Sequence, residues 1–490
     1  MNKQLKKQSW RIISFVLFSI LSFAGCTSIT NSRYLPQPVE LPDGWRESQK
    51  DLPAVPKMTA DEHSVWWRQL NDPILDEVVE RTIAGSVSLE IASARVKEAR
   101  ARHGKAKSEL GPSTSAGLNA ARSEALGEQN SPSDSFSASL DMVWEADLFG
   151  AKRLSMAASQ ADFEAEIGNL HAARVSLVAE TVVAYADLRV AEVRLRVIDK
   201  NLSSRKETFQ LTTYREQAGL ASRLEANQAM NSLSQTLAER PVYEKTVTEA
   251  RLRLNLLAGE MPGALDELLT MTDPEFSLPT PPDSISAYIP AETLRQRPDV
   301  RTAERQIEAA WSRLRVAKLD RYPTLQLTGS INTQSTKLAN LFDIDSMFAS
   351  LLNGVTAPIF DSGRISKNIA TRKAQWEQAT LSYRNSVLKA LSEVEKALSD
   401  YRLSQARIAA LEETVLTAAE AAELAEQRYA GGLIDLLSVL DTQRTLYNFE
   451  AQLVTAKGEL LKNFSNLYRA LGGGWAPVSQ EQNTTGGSDA

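Results

Sequence analysis

The sequence predicts a mixed α + β fold that is mainly helical, in which long helices alternate with short amphipathic strands. Residues 364–430 contain no proline and are followed by Gly431-Gly432, and their apolar positions recur every 3.5 residues on average, the period of a coiled coil. A second stretch, from Phe136 to Leu148, has a period of 2 instead, as in a strand with two unlike faces. At ~1.5 Å per residue the first stretch would form a helix on the order of 100 Å long. We therefore expect an elongated chain.

The apolar seam of residues 364–430 can be followed residue by residue. Its first seven members alternate steps of four and three residues, and only Gln405 among them is polar. One short step leads to six further members, so that twelve steps cover 42 residues. The seam consists of Val387, Leu391, Val394, Leu398, Tyr401, Gln405, Ile408, Leu411, Val415, Ala418, Ala422, Ala425 and Tyr429.

Residues 1–25 have the features of a secretory signal. Four basic residues precede a short apolar core in residues 12–24, which is too short and wrongly flanked for a spanning helix. The segment ends before Cys26, the only cysteine of the chain. It resembles a bacterial lipoprotein signal, although Phe23 stands where leucine is usual. We expect Cys26 to be lipidated and to become the N-terminus; the alternative is a plain signal peptide with an incidental cysteine.

The charge of the chain argues against a nucleic-acid partner. The sequence has 55 basic and 61 acidic residues, and the signal accounts for four basic and no acidic ones. The mature chain therefore has 51 basic and 61 acidic residues, a net charge of −10, which does not suit a polyanion. No later stretch of 18 apolar residues exists. We therefore expect no transmembrane helix, and a membrane crossing would have to use strands.

The elements follow one another in a simple order. A proline-rich tether in residues 26–60 leads to Asp72, which is placed to cap a helix that begins at Pro73. This helix is expected to reach about Leu110. Two strands follow, at about residues 114–122 and 136–148, separated by the polar loop 123–134. A second long helix then runs to residue 218 and ends at Gly219, and a return helix covers about residues 222–258.

The same order occurs twice. Eight residues of the first part, from Ala92 to Arg153, match residues that lie 211 positions later, and past the long helices the offset becomes 213. A constant offset over some 170 residues indicates duplication. The predicted repeats are residues 61–259 and 291–472, with a proline-rich linker at 260–290 and a tail at 473–490 that we expect to be disordered. Two repeats give four strands, too few to close a barrel, so membrane-spanning strands would require oligomerisation.

Five motifs, taken together, carry a resemblance to a known family. They fall in order along nearly all of the mature chain and in both repeats. The chain resembles the outer-membrane efflux channels of the TolC family, and within it the OprM/NodT-like lipoprotein subgroup. The motifs are Asp72-Pro73, Trp144-Glu145-Ala146-Asp147-Leu148-Phe149-Gly150, Arg297-Pro298-Asp299-Val300, Pro358-Ile359-Phe360-Asp361-Ser362-Gly363-Arg364 and Leu440-Asp441-Thr442-Gln443-Arg444.

The resemblance implies a homotrimer in the outer membrane. Each chain would contribute four strands to a twelve-stranded transmembrane β-barrel, and the long helices would form a coiled-coil tunnel across the periplasm. The tunnel tip would dock on a periplasmic adaptor (membrane fusion) protein and an inner-membrane pump of the RND type. The implied location is the cell outer membrane, in contact with its lipid and anchored through Cys26.

The resemblance implies neither catalytic residues nor a cofactor. The sequence agrees, because His63, His103 and His171 lack the spacing of metal ligands, and no nucleotide loop or nucleophile elbow is present. Trp66 and Trp67 are expected to pack rather than to bind a ligand. Arg297-Pro298-Asp299 is expected to start a helix and to do nothing more.

The resemblance places the closed end of the tunnel at the second hairpin turn. Carried over onto this sequence, the constricting side chains would be Leu437 and Asp441. Tyr429 would tie the inner helix to its neighbour through Glu225 of the first repeat. Ile434 and Ser438 depart from members that carry arginine and aspartate there, so a second acidic ring is not expected. The tip turns for adaptor docking would be Gly219, Leu220, Gly431, Gly432 and Leu433.

The function expected from the sequence is passive export of drugs and other toxic small molecules as the channel of a tripartite pump. Within the same fold, the alternative is a duct for type I protein secretion. An alternative of another class is a periplasmic coiled-coil scaffold without a pore. Such scaffolds have a single helical hairpin and lack paired strands of membrane-spanning length, so the duplicated hairpins favour the channel.

Overall fold

The structure of the chain is a computed structural model that describes residues 42, 44–46, 60–124, 132–270, 278–282, 293–294 and 297–475. The predicted signal, Cys26 and nearly all of the tether and the tail lie outside the described residues. The chain forms two compact units. Of the described residues, the first contains 109–124, 132–155 and 315–365, and the second contains the remainder.

Most of the described residues lie in α-helices, several of them long, and in four strands. The helices are α1 (Ala60–Ser64), α2 (Pro73–Gly85), α3 (Val87–Ser108), α4 (Ala151–Gln217), α5 (Arg223–Ala258), α6 (Asp266–Leu269), α7 (Pro298–Leu319), α8 (Arg364–Ala430) and α9 (Leu436–Leu471). The strands are β1 (Ser113–Ser123), β2 (Ser133–Ala146), β3 (Thr324–Ser335) and β4 (Met347–Thr356). This confirms the predicted mixed, mainly helical fold.

The first unit is built on one antiparallel sheet with the strand order β1-β2-β3-β4. Its register separates the side chains into two unlike faces, because neighbouring residues of a strand point to opposite sides. Leu140 of β2 is paired with Ala116 of β1 and Ile331 of β3, and Trp144 is paired with Leu327. The apolar face thus contains Ala116, Leu118, Leu140, Met142, Trp144, Leu327, Ile331 and Leu351, whereas the other face contains Ser115, Asn119, Ser139, Asp141, Gln326, Ser330, Asn332 and Ser350.

Among the residues that the structure describes, the two outer strands of this sheet, β1 and β4, each pair on one side only. The unpaired side of such a strand presents a row of backbone N–H and C=O groups that are ready to pair with another chain. In a membrane these groups must be satisfied by closing the sheet into a barrel. The edges of this sheet therefore suit pairing with further copies of the chain.

The second unit contains the predicted seam of α8. Helix α8 begins at Arg364 and ends at Ala430, as predicted, and every member of the seam is buried or half-buried. Val394, Leu398 and Tyr401 pack in the same core as Leu461 and Phe464 of α9. Because a seam of this period faces its partners along its whole length, α8 is held by packing rather than by intrinsic helix propensity. Within the described ranges, none of the helices combines the length and apolar character needed to span a bilayer.

The centre of the second unit is an aromatic core. Trp66 stacks on Tyr468 with ring centroids 5.1 Å apart and contacts Phe464 edge-on at 5.7 Å. Trp66 and Trp67 are both buried, which confirms that they pack. Asp72 caps α2 by accepting hydrogen bonds from the N–H groups of residues 74 and 75, and its other oxygen accepts one from the Tyr185 hydroxyl at 2.5 Å.

The prediction of one helix from Pro73 to about Leu110 is wrong. The chain leaves the helical conformation at Ser86, where ψ is 118°, and α3 begins at the next residue. The reason is tertiary. A Cβ atom on Gly85 would lie 2.5 Å from the carbonyl oxygen of Ala258, and one on Gly259 would lie 2.1 Å from the carbonyl oxygen of Gly85. The two backbones meet here at a distance that only glycine allows.

Arg297 does more than precede a helix, contrary to the expectation. Pro298 does begin α7, but the Arg297 side chain is buried and makes three contacts. Its Nη1 atom donates to the carbonyl oxygen of Ala470 at 2.9 Å, and its Nη2 atom donates to Asp299 and to Glu393, each at 2.7 Å. A cation beside the last carbonyls of a helix is favoured by the helix dipole. Arg297 thus joins the start of α7 to α8 and to the end of α9.

Candidate gate at the helix-hairpin turns

The turns that connect α4 to α5 and α8 to α9 have the same backbone geometry. Gly219 and Gly432 have φ angles of +71° and +73°, in the left-handed region that glycine adopts without strain. The N–H of Leu220 donates to the carbonyl of Arg215 at 2.7 Å, and the N–H of Leu433 donates to that of Arg428 at 2.8 Å. Each long helix therefore ends in a C-terminal motif that satisfies its last carbonyls.

The helices that leave these turns start with different caps. Ser222 and Glu225 form a capping box at the start of α5, in which each side chain accepts a hydrogen bond from the other residue's backbone N–H. At the start of α9 the carboxylate of Asp435 accepts from the N–H of Ser438 at 2.9 Å and from its hydroxyl at 2.6 Å. These two bonds lower the pKa of Asp435 below its usual value, and the bond from the Ser438 hydroxyl has the larger effect. The helix that follows each turn therefore begins with a side-chain cap.

Tyr429, in the last turn of α8, is held by α4. Its side chain is buried, and its hydroxyl lies 3.2 Å from that of Thr212. The Nη1 atom of Arg215 donates to the carbonyl oxygen of Tyr429 at 2.6 Å, and its guanidinium lies 4.7 Å from the centre of the tyrosine ring. Leu436 and Val439 of α9 pack in the same cluster. The end of the second hairpin is thus tied to the last two turns of α4.

The structure does not join Tyr429 to Glu225. The Glu225 carboxylate accepts from the Ser222 N–H at 2.7 Å and from the Ser222 hydroxyl at 3.0 Å. The predicted link is therefore not formed within this chain, where the capping box engages the carboxylate. The spacing Ser222-x-x-Glu225 is the sequence signature of such a box and could have revealed the competing bond. Thr212 and Arg215 were not anticipated.

Leu437 and Asp441 lie on one side of α9, one helical turn apart, and both are exposed. They line a groove of about 610 Å³ between α5 and α9, together with Arg205, Asn231 and other polar side chains. Asp441 forms an ion pair with Arg444, and both side chains are about two-thirds exposed. This pairing was not predicted from the sequence, although a spacing of three residues on a helix brings side chains together.

Gln443, in the same motif as Asp441, points to the opposite side of α9 and is buried. Its Nε2 atom donates to the Thr208 hydroxyl at 2.9 Å and to the Glu426 carboxylate at 2.7 Å. It therefore connects α9 to both α4 and α8. The motif Leu440 to Arg444 thus combines one exposed charged side and one buried cross-linking side, which its sequence alone did not distinguish.

The predicted docking positions are at the surface. Leu220 is 70% exposed and Leu433 is 77% exposed, and Leu224, two residues after the cap residue Ser222, is also exposed. Gly219, Gly431 and Gly432 accompany them in the turns. Two equivalent exposed leucines at two equivalent turns give the tip an apolar character. Among the residues that the structure describes, no three His, Cys, Asp or Glu side chains are placed to hold a metal ion.

The chain is similar to known proteins along most of its length. A family model described as outer membrane efflux protein matches residues 78–260 and 289–473. The pyoverdine export outer membrane protein OpmQ of Pseudomonas putida is 30% identical over 444 residues, which cover 89% of this chain and 92% of OpmQ. The toluene efflux pump outer membrane protein TtgF of Pseudomonas putida is 26% identical over 472 residues, with coverage of 94% and 96%. The structure of the outer-membrane channel OprN matches with a TM-score of 0.81 at 30% identity, over 90% of this chain and 100% of that one.

Proposed function

Because the chain belongs to the outer membrane efflux protein family and is the outer-membrane channel of an efflux pump, we propose that it is the exit duct for toxic small molecules. Its partners in this proposal are a periplasmic adaptor protein and an inner-membrane pump of the RND type. The observation that carries the proposal is the full-length match to efflux channels. One relative is named for the efflux of toluene, a small apolar molecule, which favours small-molecule export over protein secretion. Members of the family are transport channels rather than enzymes.

The active form in this proposal is a homotrimer, the state that members of the family adopt. Its support in this chain is the four-stranded sheet, whose outer strands β1 and β4 are paired on one side only in the described part of the chain. Three copies would supply twelve strands and leave no edge. The polar face of the sheet, with Ser139 and Asp141, would line the lumen, and the apolar face would meet lipid. Lipidation of Cys26, proposed from the sequence alone, would add an anchor to an inserted barrel.

The gate in this proposal is the exposed side of α9 that contains Leu437 and Asp441. Three-fold symmetry would place three of each around the axis, an apolar ring beside an acidic one. Carboxylates brought together by symmetry repel one another, although Arg444 beside each Asp441 reduces the repulsion. The closed state therefore needs contacts that hold the hairpins. The contacts of Tyr429 with Arg215 and Thr212 are our candidates.

Adaptor docking in this proposal uses the two turns. Leu220 and Leu433 supply exposed apolar contacts, and the glycines of the turns allow another backbone to approach closely. A docked adaptor would act directly on the last turn of α8. That turn also carries Tyr429, so docking and the proposed gate contacts are adjacent in the chain.

The full chain tests this function when it is expressed in a Gram-negative strain that lacks its own efflux channels, together with the adaptor and pump encoded beside its gene. We expect lower accumulation of toluene or of a fluorescent efflux substrate, and survival at higher doses. A matched variant, Leu220→Asp with Leu433→Asp, should insert normally but fail to restore efflux, because charges replace the apolar docking contacts. Secretion of a large protein substrate without any change in small-molecule accumulation would contradict the proposal.

A further inference from the structure

The two ends of the sheet in the first unit carry opposite charge. The ten residues that adjoin each strand on its helix-connected side, namely 103–112, 147–156, 314–323 and 357–366, contain eight basic and four acidic residues. The two segments that join the strands at the other end, 124–132 and 336–346, contain one basic and four acidic residues. The helix-connected end therefore has a net charge of +4 and the loop end one of −3, in a chain whose overall charge is negative.

At the positive end, much of the acidic charge is already bound to backbone. The Asp361 carboxylate accepts from the N–H groups of Ile365 at 2.8 Å and Gly363 at 2.9 Å, and these bonds lower its pKa. The Asp147 carboxylate accepts from the N–H groups of Lys152 and Arg153 at 3.0 and 3.1 Å. Burial raises the pKa of Asp147, but these bonds and the Arg153 side chain outweigh it, so the pKa lies below its usual value. These two carboxylates accept hydrogen bonds at the N-termini of α4 and α8, where the helix dipole favours an anion.

Two arginine side chains at this end are exposed to solvent. Arg321 immediately precedes Tyr322, and Arg364 is the first residue of α8; both are exposed. Arg153, the equivalent of Arg364 in the first repeat, is also exposed but forms an ion pair with Asp147. Arg321, just before β3, and Arg364, just after β4, can therefore reach outwards from two separate connections beyond the ends of the strands.

An aromatic belt lies next to these cations. The ring of Trp144, on the apolar face of β2, donates its Nε1–H to the carbonyl of Leu110 at 2.9 Å. Phe149 stacks on Tyr322 with ring centroids 5.0 Å apart, and Tyr322 and Leu148 are exposed. Aromatic rings of this kind mark the level of the lipid headgroups at the boundary of a membrane-spanning sheet. The cations beside them are therefore at headgroup level.

We propose that Arg321 and Arg364, with the belt of Trp144, Phe149 and Tyr322, form a collar that binds the anionic headgroups of phospholipids in the leaflet on the helix side of the membrane. The apolar rings contact the acyl chains near the glycerol, and the guanidinium groups bind phosphate, for which their planar donor pairs are suited. The collar orients the barrel, because the opposite end of the sheet is acidic. This proposal depends on the outer-membrane location of the family and not on the gate, the adaptor or the exported compound.

Spin-labelled lipids test the collar in proteoliposomes that contain the full chain in phosphatidylcholine. The electron paramagnetic resonance spectrum gives the fraction of labelled lipid immobilised by the protein, for phosphatidylglycerol and for phosphatidylcholine separately. We expect a preference for phosphatidylglycerol that falls as salt rises from ~0.01 to ~1 M, since screening shortens the range of the attraction. Arg321→Gln with Arg364→Gln should reduce the preference by up to about fivefold for each arginine, the equivalent of about 1 kcal/mol per basic residue.

The matched control is Lys337→Gln, which removes an exposed cation from the loop end of the same sheet. It should leave the phosphatidylglycerol preference unchanged. Equal immobilisation of the two lipids by the unaltered chain, or an equal loss in the control, would overturn the proposal. If the double variant fails to assemble, the salt dependence of the unaltered chain still tests the proposal, because a phosphatidylglycerol preference that does not change with salt would overturn it. Channel conductance in planar bilayers should be the same in all variants, which separates this test from one of the proposed function.

Discussion

Replacement of Arg215 by alanine removes the side chain that ties the end of α8 to α4. Its Nη1 atom donates to the Tyr429 carbonyl, and its guanidinium stacks on the Tyr429 ring. A hydrogen bond from a charged group contributes ~1.5–3 kcal/mol, and a cation on an aromatic face contributes ~0.5–1 kcal/mol where solvent has access. Because Arg215 is only half-buried, we take the lower part of the combined range, about 2 kcal/mol for each chain.

If opening breaks this contact, about 2 kcal/mol corresponds to a rise of roughly 30-fold in the open-to-closed ratio for one chain. The measurement is single-channel conductance and open probability of the purified full chain in planar bilayers. Arg215→Ala should raise both, and Arg215→Lys should have a smaller effect, because it keeps the charge but loses the planar stacking.

Arg223→Ala is the control for this experiment. Arg223 lies at the same tip, as the first residue of α5, and is exposed, so the variant makes the same change of charge without touching Tyr429. It should conduct like the unaltered channel. The reasoning is refuted if Arg215→Ala also conducts like the unaltered channel, or if both variants raise conductance equally.

Three further predictions concern other parts of the chain. Cys26→Ser should abolish incorporation of labelled fatty acid and block signal processing, and unchanged labelling would show that Cys26 is not the lipidated residue. Met142→Arg should destabilise the assembled trimer by roughly 2–4 kcal/mol, because it places a charge on the lipid-facing side of the sheet, and cross-linking should detect the loss of trimer. Ser139→Arg, on the polar side, should be tolerated. Equal loss of trimer in both variants would invalidate the assignment of the two faces. Asp441→Ala should lower the preference for cations in bilayer recordings, whereas Arg444→Ala should raise it. The two substitutions change the charge of the same ion pair in opposite directions. If both variants keep the ion selectivity of the unaltered channel, the constriction lies elsewhere.

Long periodic helices and strands were predictable because many residues in each of them support the same secondary-structure assignment. The bounds of α8 follow from a seam of thirteen positions, an absence of proline and a terminal glycine pair. The caps at Asp72 and the turn at Gly432 are decided by two or three adjacent residues. Such local rules need no knowledge of the rest of the chain.

Features that depend on distant contacts were not predictable in the same way. The break at Ser86 exists because Gly85 meets Gly259, 174 residues later. Arg297 stabilises the end of α9 although 173 residues separate it from Ala470. At the tip, the family resemblance pairs Tyr429 with Glu225, whereas within this chain Tyr429 contacts Thr212 and Arg215, and the Glu225 carboxylate is engaged in the capping box with Ser222.

The duplication shows why the proposed gate belongs to the second hairpin. With the offset of 213, Leu224 is equivalent to Leu437, and both are exposed apolar residues. Gln228, however, is equivalent to Asp441, so only the second hairpin offers a carboxylate at that position. The contact of Arg215 with Tyr429 also occurs in one direction only. The equivalents of these two residues are Arg428, which is exposed, and Glu216, so the first copy has a glutamate where the second has the tyrosine. The two copies thus share the turn geometry that builds the tip, and they differ at the side chains that would set charge in the pore and hold it closed. A trimer built from identical hairpins would have six equivalent constricting elements, whereas in the proposed trimer this divergence would distinguish the three second hairpins from the three first ones.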